Sequence, residues 1–412
     1  MRNLGLTRSF VLLAVAATVA AACASDKPTS SSTTATGPAT SAVTGSSTTG
    51  STTGQTTGST TGQTISSTAD AAVDLSGVCP NPIVIQTDWF PEAEHGSLYE
   101  MVGSSYKVDT DKKRVTGPLV AAGRPTGVDI EIRAGASAIG NNTVSATTWA
   151  DDSITMAYAN TEAQVLQRPK TPLISVIAPL ELNPQMVMWD PATYPDVKTL
   201  ADLGKKNITI NVFGGGVFPQ VLVAEGIWNK GQVDPSFDGS PARFIAEDGK
   251  IAQQGFASAE PYSYEHVYKW GKPVAFQTIS DAGFKVYSQT LAVRPDDVVK
   301  LGPCLTKFVP IVQQAVVDYV NSPDRANAII VDAVKQYNTF WTYDMALASY
   351  SAKQQKNLGF ISNGPDSTLG NIDEARVQRV IDQMREANLK VPADLKASDL
   401  FTNQFIDPKI GL

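Results

Sequence analysis

Apolar positions fall along the chain in three regimes. Residues 9–22 are one continuous apolar run, residues 24–72 carry almost no large apolar side chain, and from residue 78 onward short apolar runs alternate with longer amphipathic stretches. Runs at 83–86 (Ile-Val-Ile-Gln), 128–133, 154–157, 173–178, 208–213, 274–278 and 290–293 have the length and β-branched character of strands. Helical spacing intervenes at 92–102 and 219–228. In the last third helices take over: 309–320 puts Val312, Ala315, Val316, Tyr319 and Val320 on one face, and Ser322-Pro323 starts a second helix running to Tyr337. A final stretch, 375–388, groups Val377, Val380, Ile381 and Met384. These stripes are core. The pattern is that of an α/β chain whose length beyond residue 78 suits two lobes.

The first regime reads as an export signal. Arg2 and Arg8 precede the apolar run, which at fourteen residues is shorter than the about twenty needed to span a bilayer. Val19-Ala20-Ala21-Ala22 then leads into Cys23, the arrangement of a lipobox, in which the thiol is acylated and becomes the new N-terminus. The expected location is outside the cytoplasm, on the outer face of the membrane, held there by lipid on Cys23. The alternative is a plain secretory signal with an incidental cysteine. The second regime repeats Thr-Thr-Gly at 48–50, 52–54, 56–58 and 60–62. Such a segment has little to bury and reads as a disordered tether with a reach of about 35 to 40 Å. Thr-rich composition is also that of O-glycosylated stalks.

Apart from Cys23 the chain has two cysteines, Cys79 and Cys304. In an oxidising compartment a lone pair reads as a disulfide, the alternative being two unrelated buried thiols. With His95 and His266 as the only imidazoles, a zinc site is not expected. The formal net charge of −7 becomes −9 once Arg2 and Arg8 leave with a cleaved signal. Nucleic acid is therefore not an expected partner, although an anionic ligand in a local cationic pocket stays compatible with that balance.

Candidate chemistry clusters after the strands. Asp88, Trp89 and Phe90 follow the first one: Asp88 can accept hydrogen bonds from a ligand or cap the next helix, and Trp89 can stack on a flat group or pack in the core. Gly214, Gly215 and Gly216 follow 208–213 and open a helix, either as a polar acceptor site at its N-terminus or as a tight turn. Ser137, Trp149, Glu260 and Tyr262 stand in comparable places. No Lys-Ser or Lys-Thr follows the glycines, and no Gly-x-Ser-x-Gly elbow is present, so neither a nucleotide phosphate loop nor a serine hydrolase is indicated.

Thr87-Asp88-Trp89-Phe90-Pro91-Glu92-Ala93-Glu94-His95-Gly96-Ser97-Leu98-Tyr99 resembles the opening signature of substrate-binding proteins of ABC importers in the nitrate, sulfonate, taurine and thiamine-pyrimidine branch. The likeness continues through Gly214 to Gly216, Asp248-Gly249-Lys250-Ile251-Ala252, Glu260-Pro261-Tyr262 and the closing helix, covering most of 80–406. It implies a type II periplasmic-binding fold, with lobe I at 78–184 and 290–412, lobe II at 185–289, and crossings near 182–188 and 288–294. A Cys79 to Cys304 bridge would join the two halves of lobe I. The implied function is capture of a small solute by lobe closure and delivery to a membrane permease by a monomer that needs no cofactor and is not an enzyme. The alternative is a secreted enzyme or ligand sensor on the same fold. In pyrimidine-synthase relatives the motif holds a chemically active His, the place of His95, but the cysteine run of those enzymes is missing here. Trp89 beside Asp88, Glu92 and Glu94 leans toward a heterocycle with N–H donors, such as a pyrimidine, over nitrate. A basic residue in the cleft would turn the expectation to sulfonate or another anion.

Overall fold

A computed structural model describes residues 73–412; the signal, Cys23 and the Thr-rich repeats lie outside the described residues. Twelve strands are found among the described residues: β1 (Ile83–Gln86), β2 (Lys107–Asp109), β3 (Arg114–Ala121), β4 (Arg124–Arg133), β5 (Met156–Ala159), β6 (Ile174–Ile177), β7 (Gln185–Trp189), β8 (Ile210–Phe213), β9 (Val233–Phe237), β10 (Ala252–Phe256), β11 (Ala275–Thr278) and β12 (Thr290–Val293). They form two sheets. The first has the order β2-β3-β4-β1-β5-β12-β6 and the second β11-β7-β10-β8-β9. The chain passes from the first sheet to the second between Ile177 and Gln185, and returns between Thr278 and Thr290.

Buried continuous runs explain the central strands. β1, β5 and β12 are buried at every position, as parallel or mixed strands covered on both faces require. β4 alternates instead: Val128, Ile130 and Ile132 turn inward while Asp129 and, less fully, Glu131 face outward. The 128–133 run is thus the inner part of a longer antiparallel ribbon, β2 to β4, that the hydrophobic pattern does not disclose. Its middle strand contains Gly117-Pro118, and the register shifts between Pro118 and Val120. Proline donates no ladder hydrogen bond, so it sits where pairing is already irregular.

Helix Gly302–Asn321 buries Phe308, Val312, Ala315, Val316 and Tyr319 in the core of the first sheet. Gly96 makes this contact possible, since a Cβ there would stand 2.1 Å from the Tyr319 ring. A Cys79–Cys304 disulfide ties the segment before β1 to this helix across 225 residues of sequence. The last long helix, Glu374–Glu386, has a different allegiance. Its Val377, Val380, Ile381 and Met384 join the core formed by Val187, Trp189, Ile210 and Leu222 of the second sheet and its helices. The same core includes Val165 from the helix Thr161–Gln167 after β5, so Glu374–Glu386 packs against both halves of the fold. Among the described residues no helix is long and apolar enough to cross a membrane.

Candidate functional site

The two sheets bring matching edges to one cavity. β10 runs parallel to β8, and β8 to β9, so their final residues, Phe256, Phe213 and Phe237, lie at the same sheet edge. β7 is antiparallel to β10, and its first residue, Gln185, pairs with Phe256. The first sheet contributes in the same sense. The loop leaving β1 carries Asp88, Trp89, Glu92 and Glu94, and Gln289 immediately precedes β12, which runs antiparallel to β5 while β5 parallels β1. All of these residues, with Gln254, Gly255, Glu260 and Trp341, line one cavity of about 230 Å³. Ligands of open α/β sheets collect at such carboxyl edges. The volume is below the about 300 Å³ at which drug-sized pockets begin, which points to a small solute.

Four carboxylates face or border this space. Asp88 does not cap the following helix; its Oδ1 lies 2.9 Å from His95 Nε2, and Gln289 Nε2 donates to its two oxygens at 3.3 and 3.2 Å. Glu94 accepts a hydrogen bond from the Ser258 hydroxyl, a link from the loop after β1 to the segment after β10. Glu260 turns back so that its Oε2 accepts from the Phe256 N–H at 2.7 Å. Gly255 leaves the room for this: a Cβ at 255 would lie 2.7 Å from Glu260 Cγ.

Burial dominates the electrostatics. Loss of water raises the Glu92 carboxyl well above its ordinary range, and repulsion from Glu94, Asp88 and Glu260 adds to it. Burial also raises Glu94, against the Ser258 hydrogen bond that favours its charged form. Glu260 is raised to about 7, again by burial, with the Phe256 N–H opposing. No Lys or Arg is among the described residues lining the cavity. Gln289 is 4 % exposed, and its Oε1 has no hydrogen-bond partner.

Aromatic rings complete the walls. Phe213 and Phe237 lie 4.7 Å apart between centroids at the second sheet. Trp89 meets Trp341 edge-on at 5.8 Å, and Trp341 is held by its indole N–H donating to Pro91 O. Trp341 comes from the connection between helices Asp324–Tyr337 and Met345–Asn357.

Of the residues singled out in the sequence, Asp88, Trp89 and Glu260 line the cavity, and the acidic neighbours Glu92 and Glu94 line it too. Phe90 is buried in the first core, 1 % exposed. His95 is fully buried behind Asp88 and does not face the cavity. Gly214, Gly215 and Gly216 stand one step past Phe213, outside the lining, where Gly216 begins helix Val217–Ala224. Ser137 is exposed on a separate turn, Trp149 donates to Pro172 O on the outer surface, and Tyr262 packs on His266 and Tyr350; none of them lines the cavity. The pattern did not single out Phe213, Phe237, Phe256, Gln289 or Trp341. Phe213 ends a run that the pattern does mark as a strand, whereas Phe237 and Phe256 end strands of polar sequence and Trp341 lies in a connection without periodicity.

This is the two-lobed α/β architecture of the periplasmic ligand-binding proteins, with the cavity between the sheets. The ligand-binding component of an ABC-type import system from Staphylococcus aureus, crystallised with zinc bound, matches with a TM-score of 0.50 and 14% identity, over 78% of this chain and 97% of that one. The periplasmic aliphatic sulphonate binding protein SsuA from Escherichia coli matches at 0.49 and 12% identity, over 80% and 95%. The periplasmic nitrate-binding protein NrtA from Synechocystis PCC 6803 matches at 0.46 and 12% identity, over 79% and 88%. No protein-family model matches the chain, and no curated protein does. Among the described residues no group of three or more His, Cys, Asp or Glu is placed to hold a metal ion.

Proposed function

We propose that the protein is an extracytoplasmic solute-binding lipoprotein of an ABC importer: anchored through Cys23, it captures a small polar or heteroaromatic solute between its lobes and hands it to a permease. The observation that carries this reading is the small cavity built from facing sheet edges, with aromatic walls and a few convergent polar groups. The cluster offers no activated nucleophile and no oxyanion donors grouped around it, which favours reversible binding over the alternative of a secreted enzyme. Among solutes of the resembling branch, the lining favours a pyrimidine-type heterocycle over nitrate or a sulfonate, since no cation is present to meet an anion's charge.

A thermal-shift panel of pyrimidines, flavins, sulfonates, nitrate and amino acids, on protein stripped of bound solute, tests the reading. A ligand that binds the native state raises the midpoint by mass action. The expected result is a saturable rise with one chemical class and recovery of that compound unchanged. Conversion of the compound would establish the enzymatic alternative instead.

A further inference from the structure

Resting on the binding-protein reading, the chemistry of the cavity narrows the cargo further. We propose that the solute is an organic cation of about one ring, its charged N–H group or groups held by Glu92, Glu94 and Glu260 and its flat body laid against Phe213, Phe237 and Trp89.

Three observations converge on this class. Glu92, Glu94 and Glu260 come from opposite sides of the cavity and interact electrostatically with one another, while no Lys or Arg among the described lining residues offsets them. An acidic cluster of this kind is costly unless something cationic completes it. Independently, Gln289 spends its amide N–H on Asp88 and leaves Oε1 as a buried acceptor without a partner. A solute whose donor reached this acceptor would satisfy it, and an anion such as nitrate brings no donor. The aromatic walls are the third feature, since ring faces attract cations and stack on planar groups.

The groups that face these carboxylates leave the same answer. Asp88 already meets His95 Nε2, with Glu92 Oε1 3.9 Å from the same nitrogen. Glu94 meets the Ser258 hydroxyl; the other ionisable side chains near it are His95, which is already held by Asp88, the carboxylates of Asp88, Glu92 and Glu260, and the buried Tyr319 and Tyr343. Burial raises the Glu92, Glu94 and Glu260 carboxyls, and a cation beside them favours their charged forms. Binding of a cation therefore releases protons to solvent and tightens as pH rises through about 7, the range in which Glu260 ionises.

Isothermal titration of the mature, solute-stripped protein with three matched probes tests this: benzamidinium, neutral benzamide and anionic benzenesulfonate. Runs at pH 7 in phosphate and in Tris report the proton count. The expected outcome is that benzamidinium binds at least tenfold more tightly than benzamide, benzenesulfonate gives no binding, and the heats differ between buffers by a net proton release. The Glu94→Gln/Glu260→Gln variant keeps the size of both side chains and is expected to abolish the preference for benzamidinium; its circular dichroism checks that it is folded. Equal or tighter binding of benzamide or benzenesulfonate overturns the cation assignment and leaves the binding-protein reading intact. Failure of benzamidinium alone, with other small solutes raising the melting midpoint, also overturns it; failure of every solute removes the binding-protein reading as well.

Discussion

Glu260 shows how a few neighbouring residues set one side chain's chemistry. Gly255 removes the Cβ that would collide with it, the Phe256 N–H holds one oxygen, and burial raises its carboxyl to about 7. A carboxyl raised above its unfolded value favours the protonated folded state. Its contribution to stability is fully present below about pH 4.5 and is lost as pH climbs through about 7, amounting to on the order of 3 kcal/mol at most. Unliganded protein should accordingly melt higher at pH 5 than at pH 8, and Glu260→Gln should flatten part of that slope because its amide oxygen can still accept the Phe256 N–H. Glu162 and Glu181, each raised to about 7, and the raised Glu92 and Glu94 should keep the remainder. An unchanged slope in the variant would show that Glu260 is ionised in the empty site. At the same scale Gly255→Ala places a methyl 2.7 Å from Glu260 Cγ and should weaken solute binding tenfold or more, at a stability cost of about 1 to 3 kcal/mol. Calorimetry and melting of one variant separate the two effects.

At the scale of elements, the site is a consequence of strand direction. β8, β9 and β10 share a direction and each ends in phenylalanine, so three separate sequence segments make one aromatic edge. The sequence disclosed β1 and β12, buried at every position, and β8, buried at all but its last, because burial leaves short, mainly apolar runs, and it disclosed the long late helices through their stripes. It did not disclose β10, whose Ala-Gln-Gln-Gly-Phe reads as polar. Gln253 and Gln254 are buried there, Gln253 donating through Nε2 to the Tyr264 hydroxyl and Gln254 accepting from the Phe213 N–H. Nor did it place Trp341, which reaches the cavity through a tertiary contact with Pro91. The glycine run misled for a related reason: a turn before a helix fits a ligand and a tight connection equally, and here Phe213 takes the wall position. The disulfide also acts between elements. Replacing Cys79 and Cys304 by serine should lower stability by about 2 to 5 kcal/mol in denaturant titration while leaving solute affinity within about twofold, since neither cysteine borders the cavity. A large loss of affinity would mean that the bridge positions the loop after β1.

For the whole molecule, the two crossings between sheets leave the cavity as the place where both halves of the fold meet one solute. The Ser258 to Glu94 hydrogen bond spans that place, so part of the contact between the sheets competes directly with a cation for the same carboxylate. Solute capture and the approach of the two sheets are thereby coupled through one side chain. The most direct test is native mass spectrometry of the protein taken from its own cells. One small molecule per chain is expected, released unchanged on unfolding and retained by a cation exchanger at neutral pH. Release of an anion, or a chain that carries no solute under any growth condition and binds none afterwards, would contradict it.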